Sequence, residues 1–192
     1  MPNYKVPIST SMREALVECY RSAARLIRDE WRDQLVLRTE DVDVVAPEHV
    51  LVDLWDGVSA GTDRFGIEPD GKIAFDAPQG FRVRMDIIKI SDGCIDRIYE
   101  TIPFYEGSVA SVPDLLRLRA ATVVDRGPTS ENDVEDWKWL LSQTAVAGQM
   151  LPVLSDEELA DITQAGKCLG VLDRLVLVAV LGLNTEAALG LL

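Results

Sequence analysis

Three aspartates have a residue type and spacing that suit the binding of a divalent cation. Asp41 and Asp43 are separated by a single residue, and Asp86 stands in a later apolar segment. Residues i and i+2 of a strand project from the same face, and a further carboxylate from a neighbouring strand completes the oxygen-rich surroundings that Mg²⁺ prefers. Such a cation neutralises a triphosphate and activates an incoming hydroxyl. The pattern predicts Asp41 and Asp43 as metal ligands and Asp86 as ligand or general base.

Two predicted strands carry these carboxylates. Apolar residues alternate with polar ones between Leu35 and Ala46, which predicts one strand with Asp41 and Asp43 on a single face. The alternation is clearest between Phe81 and Ile90, where Asp86 belongs to the polar side. We therefore expect the three carboxylates to meet on one face of a sheet.

The segments around these strands carry their own signals. Pro47 favours a helix start, and that helix is expected to end near Gly57. Turn residues inside Phe65–Phe75 predict a β-hairpin. The short apolar pieces of 94–112, interrupted by Pro103, predict edge strands or irregular structure.

Helices are predicted at both ends of the chain. Ser11 and Glu14 have the spacing of a capping box, and helical periodicity continues to about Trp31. A similar box is predicted at Ser155 and Glu158. The C-terminal helices are expected over these ranges: 112–127 and 130–143, which form an antiparallel pair, then 155–183 and 185–192.

Together these elements predict an α/β (α+β) fold in which a mixed β-sheet is flanked by helices. Residues 1–110 are expected to form the α/β core, and residues 111–192 a helical portion packed on the same domain. An alternative use of these helices is an interface: the apolar segment from Ser155 onward would then form a homodimer or bind a partner protein.

The order and spacing of four segments resemble a known family. These segments are RTEDVDVV (38–45), VRMDIIKI (83–90), LLRLRAATVVDRG (115–127) and ENDVEDWKWLL (131–141). In that order they resemble the minimal nucleotidyltransferases related to the AbiEii toxins. The resemblance implies a nucleotidyltransferase-like fold that uses Mg²⁺ to move a nucleoside monophosphate from an NTP to a small-molecule or protein hydroxyl.

The resemblance also implies residues that contact the nucleotide. Where the family has a Gly-Gly or Gly-Ser pair, this chain has Arg21 and Ser22, so only the serine matches. Arg119 stands where the family has a phosphate-binding lysine, and Arg38 opens the Asp-x-Asp segment. The family's closing lysine is missing here. Arg21, Ser22, Arg38 and Arg119 are thus the predicted nucleotide-binding residues.

Two other interpretations of these residues remain open. Because the glycine pair and a lysine are replaced, the fold could serve a metal-free small-molecule enzyme, for example a cyclase in metabolite biosynthesis, whose cleft orients the substrate. Arg119 could instead pair with acids such as Asp133 and Asp136 within the helix pair. The acids of the strands could pair with arginines such as Arg84.

Composition restricts the partners. The chain has 32 acidic and 19 basic residues, a net charge of -13. This charge opposes binding to nucleic acid and to anionic membranes, so a small molecule or an NTP is the expected substrate. The apolar run Leu175–Leu183 is too short to cross a bilayer. Three separated cysteines predict reduced, buried thiols, and the cytoplasm is the expected compartment. His49 is the sole histidine and is expected at the surface.

Overall fold

A computed structural model of the chain shows two compact units. The first comprises Met1–Arg97 with Thr101–Ala110, and the second comprises Ile98–Glu100 with Ser111–Leu192. The predicted α/β class is confirmed, since a mixed seven-stranded sheet is flanked by helices. How the C-terminal portion packs on the core stays a prediction. The residues that the structure describes are 8–38, 42–62, 64–90, 97–127 and 130–191.

The first helix begins earlier and ends sooner than predicted. Helix α1 spans Thr10–Arg25, and the hydroxyl of Ser9 caps it by accepting the N–H of Met12 at 3.2 Å. The predicted capping box at Ser11 is therefore wrong. The helix does not reach Trp31 because Arg28 is extended and its guanidinium bonds Asp53 at 2.9 and 3.0 Å.

The predicted single strand over 35–46 is wrong, because the chain forms two short antiparallel strands there. These are β1 (Val36–Leu37) and β2 (Asp43–Ala46). Val42, directly before β2, has a φ of 60° in the left-handed region. Residues 39–41 lie outside the described residues.

Other elements of the first unit agree with the sequence. A 3₁₀ turn spans Asp29–Gln34, and α2 spans Glu48–Ser59 with Pro47 as its N-cap. The predicted hairpin and the strand over 81–90 are confirmed. Of the two strands formed within 94–112, Thr101–Phe104 is at an edge of the sheet as predicted, whereas Gly107–Ala110 pairs with a strand on each side. The remaining strands are β3 (Phe65–Ile67), β4 (Ile73–Asp76), β5 (Arg82–Lys89), β6 (Thr101–Phe104) and β7 (Gly107–Ala110).

The sheet has the order β3-β4-β5-β2-β1-β7-β6. Strands β2 and β5 are parallel, as are β1 and β7, and the other neighbours are antiparallel. The core of this unit combines the apolar face of α1 with the inward residues of the sheet. Its fully buried side chains include Cys19, Tyr20, Val44 and Phe75.

Tyr20 ties the two strands β1 and β7 together. Its hydroxyl lies 2.8 Å from the carbonyl oxygen of Leu35 and 2.6 Å from that of Ser108, and it accepts the Ser108 N–H at 2.7 Å. Gly107 is required beside it, because an added Cβ would lie 2.3 Å from that hydroxyl. Burial raises the pKa of the Tyr20 hydroxyl, so it stays a neutral donor.

In the described part of the chain, the second unit contains five helices. They are α3 (Val112–Arg126), α4 (Glu131–Val146), α5 (Asp156–Gly166), α6 (Val171–Val180) and α7 (Thr185–Leu191). The antiparallel pair of α3 and α4 is confirmed, since the indole of Trp137 bonds the carbonyl of Leu116 and Asp133 meets Arg119. The predicted capping box at Ser155 is also confirmed.

The predicted single helix over 155–183 is wrong. It divides into α5 and α6, and α6 starts after Gly170, whose extended backbone provides the N-cap. Leu177 is buried, but Leu172 and Leu175 are exposed, so a homodimer through this surface stays a prediction. Within the described part of the chain, no helix combines the length and apolar character that crossing a membrane requires.

A buried charge network anchors the segment before α3. The carboxylate of Asp114 accepts the backbone N–H groups of Tyr99 and Glu100 at 2.9 and 2.7 Å. Arg117 bonds Asp114 at 2.8 Å and Glu158 at 2.8 Å. These contacts explain why Ile98–Glu100 belongs to the second unit.

Candidate metal and nucleotide site

Two of the three predicted carboxylates lie side by side. Asp43 of β2 and Asp86 of β5 are register partners on adjacent parallel strands. Partners in neighbouring strands project from the same face about 4.8 Å apart. The structure thus brings together the carboxylates of Asp43 and Asp86. Asp41 lies outside the described residues, so its role stays a prediction.

The alternation of β5 directs Asp86 to the open face of the sheet. Val83 and Met85 are buried on the opposite face, whereas Arg82, Arg84 and Asp86 are exposed. The side chain of Asp86 is 51% exposed, and Asp43 is half-buried. Both carboxylates are therefore on the side of the sheet where charged residues collect.

Val42 holds a strained backbone immediately before Asp43. A φ of 60° is rare for a β-branched residue, and such a conformation costs about 1–3 kcal/mol. The side chain is 1% exposed within the core, and this packing keeps the conformation in place. The prediction that Asp41 and Asp43 share one face depends on regular strand alternation, and this alternation is interrupted at Val42.

Lys72 is a member of this site that the sequence analysis missed. Its ammonium forms an ion pair with Asp86. The two residues face each other because β4 and β5 are antiparallel, with Ile73 opposite Met85. The feature that could have predicted this pairing is the turn at Ala77–Gly80, where the Gly80 N–H bonds the Ala77 carbonyl and Gly80 has a φ of 83°. Recognising that turn would have fixed the register.

The other cations of this face are engaged by acids of the same hairpin. Arg84 pairs with Asp70. Arg82 bonds Glu68 at 2.7 Å and Asp76 at 2.6 Å. Among the described residues, Asp43 has no ion pair, whereas Asp86 is paired with Lys72.

Arg38 is adjacent to Asp43 because β1 and β2 pair as antiparallel strands. Its backbone N–H donates to the Asp43 carbonyl at 2.8 Å, which closes the β1–β2 pair. Its side chain is half-buried. Arg38 is thus the one predicted nucleotide-binding residue whose backbone the structure places directly against that of a candidate ligand.

Arg21 is held by a carboxylate elsewhere in the first unit. It bonds Glu106 through two nitrogens at 2.9 and 3.0 Å, and Arg25 bonds the same carboxylate at 2.6 Å. The hydrogen bond from Arg21 is the main cause that lowers the pKa of Glu106 to about 2. Glu106 engages the Nε and Nη2 of Arg21, so a phosphate would have to bind this guanidinium through its remaining N–H groups.

Glu106 also lies away from Asp43 along the strands. Val36 at the start of β1 is the register partner of Ser108, so Glu106 lies beyond the first residue of β1. Asp43 pairs with the chain just past the last residue of β1. Arg21 is therefore anchored at the opposite end of β1 from the carboxylate pair.

Ser22 lies inside α1 rather than in a loop. Within a helix the backbone N–H groups are donated to carbonyls four residues earlier. A glycine-rich phosphate loop uses such groups to bind the ligand, so the backbone at Ser22 does not offer them. Its predicted nucleotide contact would have to come from the half-buried hydroxyl.

Arg119 belongs to the second unit and is paired there. It lies 3.1 Å from Asp133 and 3.9 Å from Asp136, and Arg126 reaches Asp133 at 3.4 Å. The alternative interpretation of Arg119 as a structural partner within the helix pair is confirmed. A role in phosphate binding stays a prediction.

The remaining candidates do not extend the carboxylate pair. His49 is exposed, as predicted, with its ring 4.7 Å from that of Trp31. Cys19 is fully buried, and burial raises its pKa to about 12, so it is an unreactive thiol. Among the large aromatic side chains, Trp137 is buried, whereas Tyr105 and Trp139 are exposed.

The residues present fit a hard divalent cation. Mg²⁺ is usually held by one or two carboxylates, with water and substrate phosphates completing the shell, and Asp43 and Asp86 supply two. The competing ammonium of Lys72 is 45% exposed on a flexible stem and can move. Among the described residues, which do not include Asp41, no group of three or more His, Cys, Asp or Glu side chains is placed to hold a metal.

Comparison with known proteins identifies no relative of this chain. No protein-family model, curated protein or solved structure matches this chain. The resemblance to minimal nucleotidyltransferases therefore stays a prediction based on the residues themselves.

Proposed function

We propose that the first unit binds a nucleoside triphosphate with Mg²⁺ and transfers its nucleoside monophosphate to a hydroxyl. The observation that carries this proposal is the register of Asp43 and Asp86 on adjacent parallel strands. One or two carboxylates are what a protein usually supplies to such a cation, and two are present on this open face. The strained Val42 beside Asp43 supports a functional use of this segment.

The chain's own residues have separate parts in this proposal. Asp43 and Asp86 would hold the cation, with Asp41 as the third predicted ligand and Asp86 also the predicted base. When bound, Mg²⁺ would neutralise the triphosphate and favour ionisation of the attacking hydroxyl. Arg38, beside Asp43, is the best placed of the predicted nucleotide contacts.

The acceptor proposed is a small molecule or a protein. A net charge of -13 repels a nucleic-acid acceptor. Nucleoside triphosphates are intracellular metabolites, so we place the reaction in the cytoplasm.

A metal-free small-molecule enzyme is the second candidate function. It is favoured by one observation, namely that Arg21 and Arg119 are both bound to acidic side chains of the protein. If these arginines do not bind phosphate, the protein would accelerate a reaction by holding its substrate in a reactive orientation, as in a cyclisation. This activity would not depend on a divalent cation.

Labelled nucleotides test the proposed transfer. The protein is incubated with Mg²⁺, a nucleic-acid-free cell extract, and NTPs labelled at either the α or the γ phosphorus. Nucleotidyl transfer predicts a product labelled from the α position only. The label should disappear with Asp43→Asn and persist with Asp76→Asn, which removes the same charge from β4 of the same sheet.

Three outcomes would contradict the proposal. They are labelling from the γ position, absence of α-labelled product with the wild-type protein, and α labelling that Asp43→Asn leaves unchanged. Conversion of an extract metabolite that continues with excess chelator and no nucleotide would support the second candidate.

A further inference from the structure

Lys72 occupies one of the two carboxylates that the proposed function assigns to the cation. It lies one residue before β4, opposite Asp86, and its ammonium is bound to the Asp86 carboxylate. Asp86 in turn lies beside Asp43 across β2 and β5. Lys72, Asp86 and Asp43 therefore stand on three neighbouring segments of one sheet face.

The ammonium and a divalent cation compete for Asp86. A cation held by Asp86 would need the carboxylate that the ammonium now binds, and the two positive charges would repel each other when close together. Lys72 is 45% exposed and Asp86 is 51% exposed, and ion pairs between such exposed groups are weak. A divalent cation can therefore displace the lysine without opening the fold.

The displaced ammonium remains close to the site. The Lys72 backbone N–H is bonded to Asp70 at 3.3 Å, which holds the base of the side chain at the hairpin turn. The four-carbon stem then limits how far the charge can move. A lysine ammonium is a compact point charge with three donors, a form well suited to a phosphate group.

Neighbouring cations are less suited to this exchange. Arg84 is engaged by Asp70, and Arg82 is held by both Glu68 and Asp76. Lys89 of β5 pairs with Glu48 at 3.1 Å, three residues along the strand from Asp86. Of these four cations, Lys72 is the one paired with a candidate metal ligand.

We infer that Lys72 has two alternating partners: the Asp86 carboxylate when the site holds no cation, and a nucleotide phosphate once a divalent cation has taken Asp86. This inference rests on the proposed function and deepens it. It supplies the phosphate contact that the family places on a later helix. It also makes cation binding and nucleotide binding change in opposite directions when the lysine is removed.

The test measures two ligands separately on three variants. Isothermal titration is carried out with Mn²⁺ alone and then with an ATP·Mg²⁺ mixture, on Lys72→Met, Lys72→Arg and Lys89→Met. Lys89→Met is the matched control, because it removes the same charge from the same sheet without touching Asp86. Folding of each variant is checked by circular dichroism.

Opposite shifts are expected for Lys72→Met. Mn²⁺ should bind about fivefold more tightly, since a competing unit charge is removed from a partly exposed site. ATP·Mg²⁺ should bind about tenfold more weakly, the size of one lost charged hydrogen bond. Lys72→Arg should stay within about twofold of wild type for Mn²⁺, and Lys89→Met within about twofold for both ligands.

The outcomes separate this inference from the proposed function. If Lys72→Met and Lys89→Met bind Mn²⁺ equally, or if Lys72→Met leaves ATP·Mg²⁺ binding intact, Lys72 does not alternate and the inference is overturned. A different result is that wild type binds no ATP·Mg²⁺ while Lys72→Met still binds Mn²⁺ more tightly than wild type does. That result overturns the proposed function and the inferred binding of phosphate by Lys72, but it supports competition between Lys72 and the cation for Asp86.

Discussion

Replacing Tyr20 with Phe tests whether the hydroxyl of α1 joins β1 to β7. The substitution keeps the buried ring and removes an oxygen that accepts the Ser108 N–H at 2.7 Å and can donate to the carbonyl of Ser108 or Leu35. The Ser108 N–H keeps only a longer contact of 3.3 Å to the Leu35 carbonyl. Leaving a buried donor and acceptor poorly satisfied costs about 1–3 kcal/mol each.

We therefore expect Tyr20→Phe to lower the free energy of unfolding by about 2–4 kcal/mol. Urea denaturation followed by circular dichroism measures it, and a loss of this size corresponds to a fall in Tm of about 4–16 °C for a chain of this length. Tyr105→Phe is the control, since this tyrosine is 60% exposed and should change stability by less than about 0.5 kcal/mol.

A second substitution checks the same contact. Gly107→Ala would place a Cβ 2.3 Å from the Tyr20 hydroxyl, so it should destabilise strongly alone and less in the Tyr20→Phe background. A coupling of at least about 1 kcal/mol is expected from a double-mutant cycle. Equal stability of Tyr20→Phe and wild type, or additive effects of the two substitutions, would refute the assigned role of the hydroxyl.

Three further predictions follow from the charges and burial. The pKa of Glu106 in the folded protein is about 2, below its ordinary value of 4.5, so its stabilising effect is full above pH 4.5 and is lost as the pH falls toward 2. The difference in unfolding free energy between wild type and Glu106→Gln should therefore shrink over that range in denaturation curves. A difference that stays constant with pH would contradict this assignment. Arg117→Met leaves Asp114 buried without its cation, so it should lower the free energy of unfolding in urea by about 3–5 kcal/mol. A decrease of less than about 1 kcal/mol would argue against the charge network. Cys19 should resist iodoacetamide in the native protein and react in urea, as mass spectrometry of the peptide would show; rapid native alkylation would contradict its burial.

Local sequence patterns correctly predicted features that depend only on residues close together in the chain. The alternation of β5 correctly placed Asp86 on the polar face, and the serine and glutamate at the start of α5 form the predicted capping box. Such features depend on neighbours within a few residues, which the sequence displays directly.

The missed features depend on unfavourable or distant interactions. Val42 adopts a backbone conformation that valine disfavours, so no propensity could indicate the break between β1 and β2. Arg21 and Glu106 are 85 residues apart, and no local pattern connects them. Lys72 could have been found from the turn at Ala77–Gly80, because that turn sets which residues of β4 and β5 face each other.

Isothermal titration of an NTP panel, with Mg²⁺ and then with excess chelator, is the decisive measurement for the proposed cation site. We expect wild type and Asp76→Asn to bind an NTP only when the cation is present, and Asp43→Asn and Asp86→Asn to lose this binding at least tenfold. Nucleotide binding that survives both the chelator and Asp43→Asn, or no binding at all, would contradict a cation site built from Asp43 and Asp86.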